Sequence, residues 1–188
     1  MSGFDPKGFK LVGDYLSSLN EGSDVPFREA INRTAVGRYY YSAFLQLREV
    51  LKGELEKYPP SLRNRDLNDF VGELEGKNPH ALIVAFLEVL KEKINDVRIR
   101  RAHNSMVYLR ALRNAADYDL REKPEIKTPN GKENVNFSSK NCALEAKRRY
   151  SFVESLINDN SESNLRHILR VYKAEVVQCI EAVLKRRG

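Results

Sequence analysis

Apolar residues recur at three- and four-residue spacing along most of this chain, and no stretch alternates convincingly with a period of two. Phe9, Val12, Leu16 and Leu19 predict a short opening helix, stopped at Asn20-Glu21-Gly22-Ser23. Asp24 and Pro26 have the chemistry of a helix cap and a first-turn proline. The helix they open carries the stripe Val36, Tyr40, Ala43, Leu47, Val50 and Leu55, and Pro59-Pro60 ends it. A brief helix over Asp66–Leu74 follows, closed by Gly76. Asn78-Pro79 then restarts the chain, and Leu82, Phe86, Val89 and Leu90 form the next face.

A fifth helix carries Ile99, Ala102, Met106, Leu109, Leu112 and Ala116 and ends near Asp117-Tyr118. Residues 121–139 read as a long exposed loop, a length that points to function or mobility. Two closing helices follow, one through Ala146, Tyr150, Val153 and Ile157. The other, through Leu165, Leu169, Tyr172, Val176, Cys179 and Val183, has a spacing suited to a bundle or to a second chain. The expected fold is all-α: an antiparallel helical bundle, residues 1–188 forming a single helical domain, with 163–188 as a C-terminal helix.

Composition narrows the function classes. The formal net charge is +6, which favours phosphates or an acidic partner. Cys142 and Cys179 are widely separated, which argues against a disulfide framework and for a reducing compartment. There is no apolar N-terminal run and no uncharged stretch of membrane-spanning length, so the expectation is a cytoplasmic protein away from membranes. Three scattered histidines, and carboxylates without ligand spacing, point to no metal site, and nothing in the chain calls for a cofactor. Glycine-rich phosphate loops and nucleophile elbows are likewise missing from the sequence.

Two stretches break the apolar pattern. In Arg113-Asn114-Ala115-Ala116-Asp117-Tyr118, Arg113 continues the stripe of Ala102, Met106 and Leu109 instead of the solvent face. A guanidinium there needs a partner. It is either a structural salt bridge, to Glu49 or to Asp117 four residues on, or a planar fork aimed at phosphate. In Arg38-Tyr39-Tyr40-Tyr41-Ser42-Ala43-Phe44, three consecutive tyrosines splay over roughly 200° of helix. They cannot all be core, so at least one should reach a groove or an interface. Aromatic rings beside cations are one way to hold single-stranded nucleic acid, and buried packing is the plainer use of the same rings.

Taken in order, these two motifs resemble those of the HEPN superfamily (higher eukaryotes and prokaryotes nucleotide-binding). The closest pattern is a subgroup with Arg-x-Tyr-Tyr-Ala-x-Phe on an early helix and Arg-x-x-Ala-Asp-Tyr on a later one. The resemblance covers about residues 25–158. It implies a helical bundle that forms a homodimer and, in many members, metal-independent endoribonuclease activity through an Arg-x4–6-His motif. Such proteins act as toxins beside a small nucleotidyltransferase antitoxin, or in anti-phage defence. Carried over, Arg113 contacts phosphate, Asn114 is the polar residue that follows it, and Tyr118 falls where histidine would be. Arg38, Tyr41 and Asp117 then line the substrate side. A phenol is a poorer general base at neutral pH than an imidazole, so cleavage itself is in question at this site. Tyr118 would instead orient a phosphate or accept a nucleotidyl group.

Arg98 and His103 also satisfy Arg-x4-His. Five helical positions turn roughly 500°, so the two side chains diverge by about 140°, which makes this pair a chance match. Arg98, Arg100 and Arg101 remain a candidate phosphate-contacting edge. The expected function is therefore an RNA- or nucleotide-binding protein of HEPN type. The alternative is a non-catalytic helical interaction module, or scaffold, that binds a partner protein.

Overall fold

The computed structural model describes residues 5–19, 24–121, 123–158 and 164–187. The helices are α1 (Lys7–Ser18), α2 (Val25–Leu55), α3 (Arg65–Glu73), α4 (Pro79–Lys93), α5 (Val97–Tyr118), α6 (Asn141–Asn158), α7 (Leu165–Val171) and α8 (Lys173–Arg187). A two-stranded hairpin, β1 (Glu125–Thr128) and β2 (Gly131–Asn134), separates α5 from α6. The fold is thus mostly α-helical, as the periodicity predicts.

Helix starts follow side-chain chemistry. Asp24 Oδ1 accepts from the Phe27 N–H at 2.9 Å, and the side chain of Asn64 caps α3 through the Leu67 N–H at 2.9 Å. Pro79 opens α4, where a missing N–H costs nothing. The stripes expected in α2, α4, α5 and α6 are buried throughout, from Val36 to Leu55 and from Ile99 to Ala116. In α1 the match is weaker: Val12 is exposed, and the buried position is Gly13, where a Cβ would lie 3.1 Å from the Tyr39 ring. The expected stop at residues 20–23 lies outside the described residues.

Two expectations are corrected. Residues 121–139 are not an open loop: β1 and β2 pair antiparallel, with Ile126 opposite Glu133 and Thr128 opposite Gly131. Pro129 has the fixed φ suited to the turn, and Gly131 (φ +117°) takes a conformation open to few other residues. Ile126, Val135 and Phe137 are buried and anchor the segment, while most of its other described residues, including all of β2, are exposed as expected. The closing helix is also broken. The backbone leaves helical geometry at Tyr172 (φ −98°, ψ 45°), which separates α7 from α8 and leaves that ring 41% exposed. Leu165, Leu169, Val176, Cys179 and Val183 are buried as expected.

Chain contacts divide the molecule into two compact units. Unit 1 comprises Met1–Leu45 and Asn104–Val153, and unit 2 comprises Gln46–His103 and Glu154–Gly188. Within unit 2, α8 packs on α3, α4 and α7. Glu54, 1% exposed, is gripped by Arg170 (Nε 2.7 Å, Nη2 2.8 Å), Arg166 (3.2 Å) and Lys57 (3.1 Å). The hydrogen bonds from Arg170, the largest cause, and from Lys57 outweigh desolvation and hold its carboxyl down at about 2. Among the described residues no helix is long and apolar enough to cross a membrane.

Candidate functional site

The site in unit 1 depends on how the last turn of α5 is held. Arg33, on α2, donates from Nη1 to the carbonyls of Ala115 (3.1 Å), Ala116 (3.2 Å) and Asp119 (2.9 Å). These carbonyls lie where a helix runs out of intrahelical donors, although that of Ala115 also accepts from the Asp119 N–H at 3.1 Å, and a cation at a helix C-terminus complements the helix dipole. Glu29 pairs with the same guanidinium at 2.8 Å, and the Phe137 ring lies 4.3 Å beneath it. Asn32, fully buried next to it, donates to the carbonyls of Phe137 (2.7 Å) and Ser139 (2.9 Å), anchoring the segment that follows the hairpin. Neither Arg33 nor Asn32 stands out in the sequence, because their partners are backbone carbonyls about a hundred residues away.

With α5 fixed in this way, the sequence-predicted residues come together. Arg113 Nη2 donates to the Tyr41 hydroxyl at 2.7 Å, and Nη1 donates to Asn114 Oδ1 at 3.2 Å. Its Nε lies 2.7 Å from Asp117 Oδ2 but off the N–H direction, so that contact is charge against charge and not an aligned hydrogen bond. Asp117 is thus the salt-bridge partner, one of the two carboxylates weighed from spacing. The rings of Tyr41 and Tyr118 each lie 5.3 Å from the guanidinium carbon. Burial works against the charge on Arg113, but Asp117, Tyr41 and Tyr118 outweigh it and raise its pKa.

The tyrosine run divides as helical geometry requires. Tyr39 and Tyr40 are buried, and the Tyr39 hydroxyl donates to Asp14 Oδ1 at 2.9 Å. Tyr41 alone reaches the groove. That groove, about 410 Å³, is lined by Arg33, Thr34, Gly37, Arg38, Tyr41, Ala116 and Asp117. Arg38 lies over the Phe9 ring at 5.4 Å, and among the described residues it has neither an ion pair nor a hydrogen bond. Gly37 keeps the groove floor open: a Cβ at that position would meet nothing within 4 Å, so packing does not explain a glycine in mid-helix. Gly37 was missed by sequence reasoning, and Phe9 was read only as an apolar residue of the opening helix, not as the ring beneath Arg38.

The second Arg-x4-His match, Arg98 and His103, lies in unit 2. His103 is buried, its Nδ1 3.1 Å from Lys91 Nζ, and Arg100 donates to Asn95 Oδ1 at 2.9 Å. His167 is half-buried near the start of α7, where its N–H meets the Asn164 cap. Cys142 and Cys179 are buried free thiols, pushed up by desolvation to about 12 and about 11. Among the described residues no cluster of His, Cys, Asp or Glu is arranged to hold a metal ion.

Fold and site define a mostly α-helical protein with an arginine–tyrosine groove in its first unit. The chain belongs to the same family as "Uncharacterized protein MJ0628" of Methanocaldococcus jannaschii, to which it is 36% identical over 167 residues, covering 89% of this chain and 90% of that protein. It is also similar to "Uncharacterized protein MJ0992" of the same organism, 38% identical over 126 residues, which is 62% of each. No protein-family model and no solved structure matches the chain.

Proposed function

We propose that unit 1 is a HEPN-like RNA- or nucleotide-binding module whose groove receives phosphate. The observation that carries this reading is Arg38. It is a groove-lining guanidinium with an aromatic ring beneath it and, among the described residues, no ion pair, the groove's carboxylate Asp117 being engaged with Arg113. A planar fork of donors without an ion-pair or hydrogen-bond partner among the described residues suits a phosphodiester. Arg113, pre-set by Asp117 and Tyr41, supplies a second oriented cation. Tyr118, at the position of the histidine in the family motif, supplies a hydrogen-bonding hydroxyl and no imidazole base.

A metal-independent ribonuclease acting as a toxin or in defence is the catalytic form of this proposal. A homodimer and a small nucleotidyltransferase antitoxin are the partners that the resemblance supplies. A cytoplasmic setting agrees with two thiols that are free and buried. The second reading is a non-catalytic helical interaction module. It is favoured by the engagement of Arg113 with Asp117, a structural use of the same charge, and by exposed Leu11 and Tyr15 on α1.

The test is incubation of mixed RNA with excess chelator, resolved on native and denaturing gels for wild type and Arg113→Ala. A shifted band weakened in the variant supports phosphate binding, and fragments that vanish with the variant add cleavage. No shift and no fragments from a folded wild type would transfer the case to the interaction module.

A further inference from the structure

The opening helix α1 carries one aromatic ring to a groove-lining arginine, and it is itself firmly held. Gly13 lies so close to α2 that a Cβ there would stand 3.1 Å from the Tyr39 ring. Asp14 accepts from the Tyr39 hydroxyl at 2.9 Å and pairs with Lys147 of α6 at 2.9 Å. The Ser42 hydroxyl donates to the Pro6 carbonyl at 3.0 Å, just ahead of the helix. These contacts fix α1 on α2 and α6 within unit 1, and Phe9 lies between the anchor at Pro6 and the one at Gly13.

Phe9 meets two groove residues at once. Its ring lies 5.4 Å from the Arg38 guanidinium carbon and 5.9 Å from the Tyr41 ring, tilted to it by 31°. Both partners line the groove, and the Tyr41 hydroxyl is held by Arg113 at 2.7 Å. The ring beneath Arg38 is thus braced by a neighbour that is already fixed.

A carboxylate and an aromatic ring hold a guanidinium differently. Glu29 beside Arg33 and Asp117 beside Arg113 neutralise the charges they orient. A ring attracts the cation through its quadrupole and takes none of its N–H donors. Arg38, with no ion pair among the described residues, is therefore restrained while keeping its full charge. A long side chain restrained in advance gives up less conformational freedom when a ligand arrives.

We infer that Phe9 is a positioning residue, which holds Arg38 in the orientation in which the groove receives an anion. It makes α1, which lies outside the stretch of about residues 25–158 that carries the resemblance, a working part of the site. This inference rests on the phosphate-binding reading of the groove and adds to it the element that orients Arg38.

The test measures binding of inorganic tripolyphosphate by calorimetry at one fixed salt concentration. Wild type, Phe9→Leu, Phe9→Tyr, Arg38→Ala and the Phe9→Leu/Arg38→Ala double variant are compared, each confirmed as folded. Motion of the Arg38 Nε–Hε group is followed by NMR in the ligand-free proteins. Phe9→Leu keeps apolar bulk and removes the ring. It is expected to weaken binding roughly 2- to 12-fold, the cost of ordering one long side chain, and to free the Arg38 group. Phe9→Tyr, which keeps the ring, should restore both. In the Arg38→Ala background Phe9→Leu should cost little further. Equal losses in the two backgrounds, or Arg38 motion unchanged in Phe9→Leu, overturn the positioning role. If wild type does not bind, or Arg38→Ala binds as wild type does, the phosphate reading falls. The NMR signal then decides by itself whether the ring holds Arg38.

Discussion

Two groups of basic side chains, one in each unit, use the same charge in opposite ways. In unit 2, Arg170, Arg166 and Lys57 converge on the buried carboxylate of Glu54, and their charge is spent inside the chain. In unit 1, Arg38 lies over the Phe9 ring in a groove and forms no ion pair among the described residues, while Arg33 spends its donors on carbonyls that end α5. The difference lies in where the counter-charge resides. A cation with an internal acceptor holds the fold, and a cation without one is available to a ligand. Arg113 stands between the two, paired to Asp117 and yet lying against an exposed tyrosine.

The largest effect is expected at the internal cluster. Glu54→Ala removes the acceptor shared by three cations. Those cations are 46–64% exposed and regain water, so the loss falls below the usual cost of breaking a buried pair, at about 2–3 kcal/mol in denaturant melts. RNA affinity should not change. The same carboxyl produces a pH dependence. Its folded pKa of about 2 lies below its ordinary value of 4.5, so its contribution is complete above that ordinary value and fades as pH falls toward 2. Stability measured from pH 5 to pH 2 should therefore fall less steeply in Glu54→Gln than in wild type.

Arg33→Ala is next in size. It strips three carbonyls and Glu29 of a shared donor and removes the Phe137 contact, for a loss of about 2 kcal/mol. Because it frees the end of α5, it should also weaken RNA binding, unlike Glu54→Ala. Hydrogen exchange of the amides of residues 115–121 would locate the loosening. Gly37→Ala has the smallest effect and the opposite sign. Better helix propensity should raise stability by about 0.5–1 kcal/mol, because the added methyl meets nothing. The same methyl narrows the groove, so RNA affinity should fall while the melting temperature rises.

Legibility in the sequence follows the range and kind of each interaction. The long helices were readable because their burial repeats every three to four residues over many turns. The Arg113–Asp117 pair was readable because it spans one turn. The hairpin was not, since its strands are four residues long and bury little more than Ile126 between them. The break at Tyr172 was hidden by an apolar spacing that runs unbroken through it. Arg33 escaped notice because backbone carbonyls accept its donors, and a carbonyl carries no residue type to read. The openness of Arg38 was equally hidden, since the sequence does not record a missing partner.

The contrast between spent and available charge is tested most directly by the salt dependence of single-stranded RNA binding. Affinity would be measured at several salt concentrations for wild type, Arg38→Ala and Arg170→Ala, each confirmed as folded. Arg38→Ala should lower affinity and flatten the slope of log K against log salt by about 0.7, the release expected from one phosphate contact on a single strand. Arg170→Ala should leave both quantities at wild-type values. Equal losses from the two substitutions, or an Arg38→Ala titration that overlays wild type, would contradict the account.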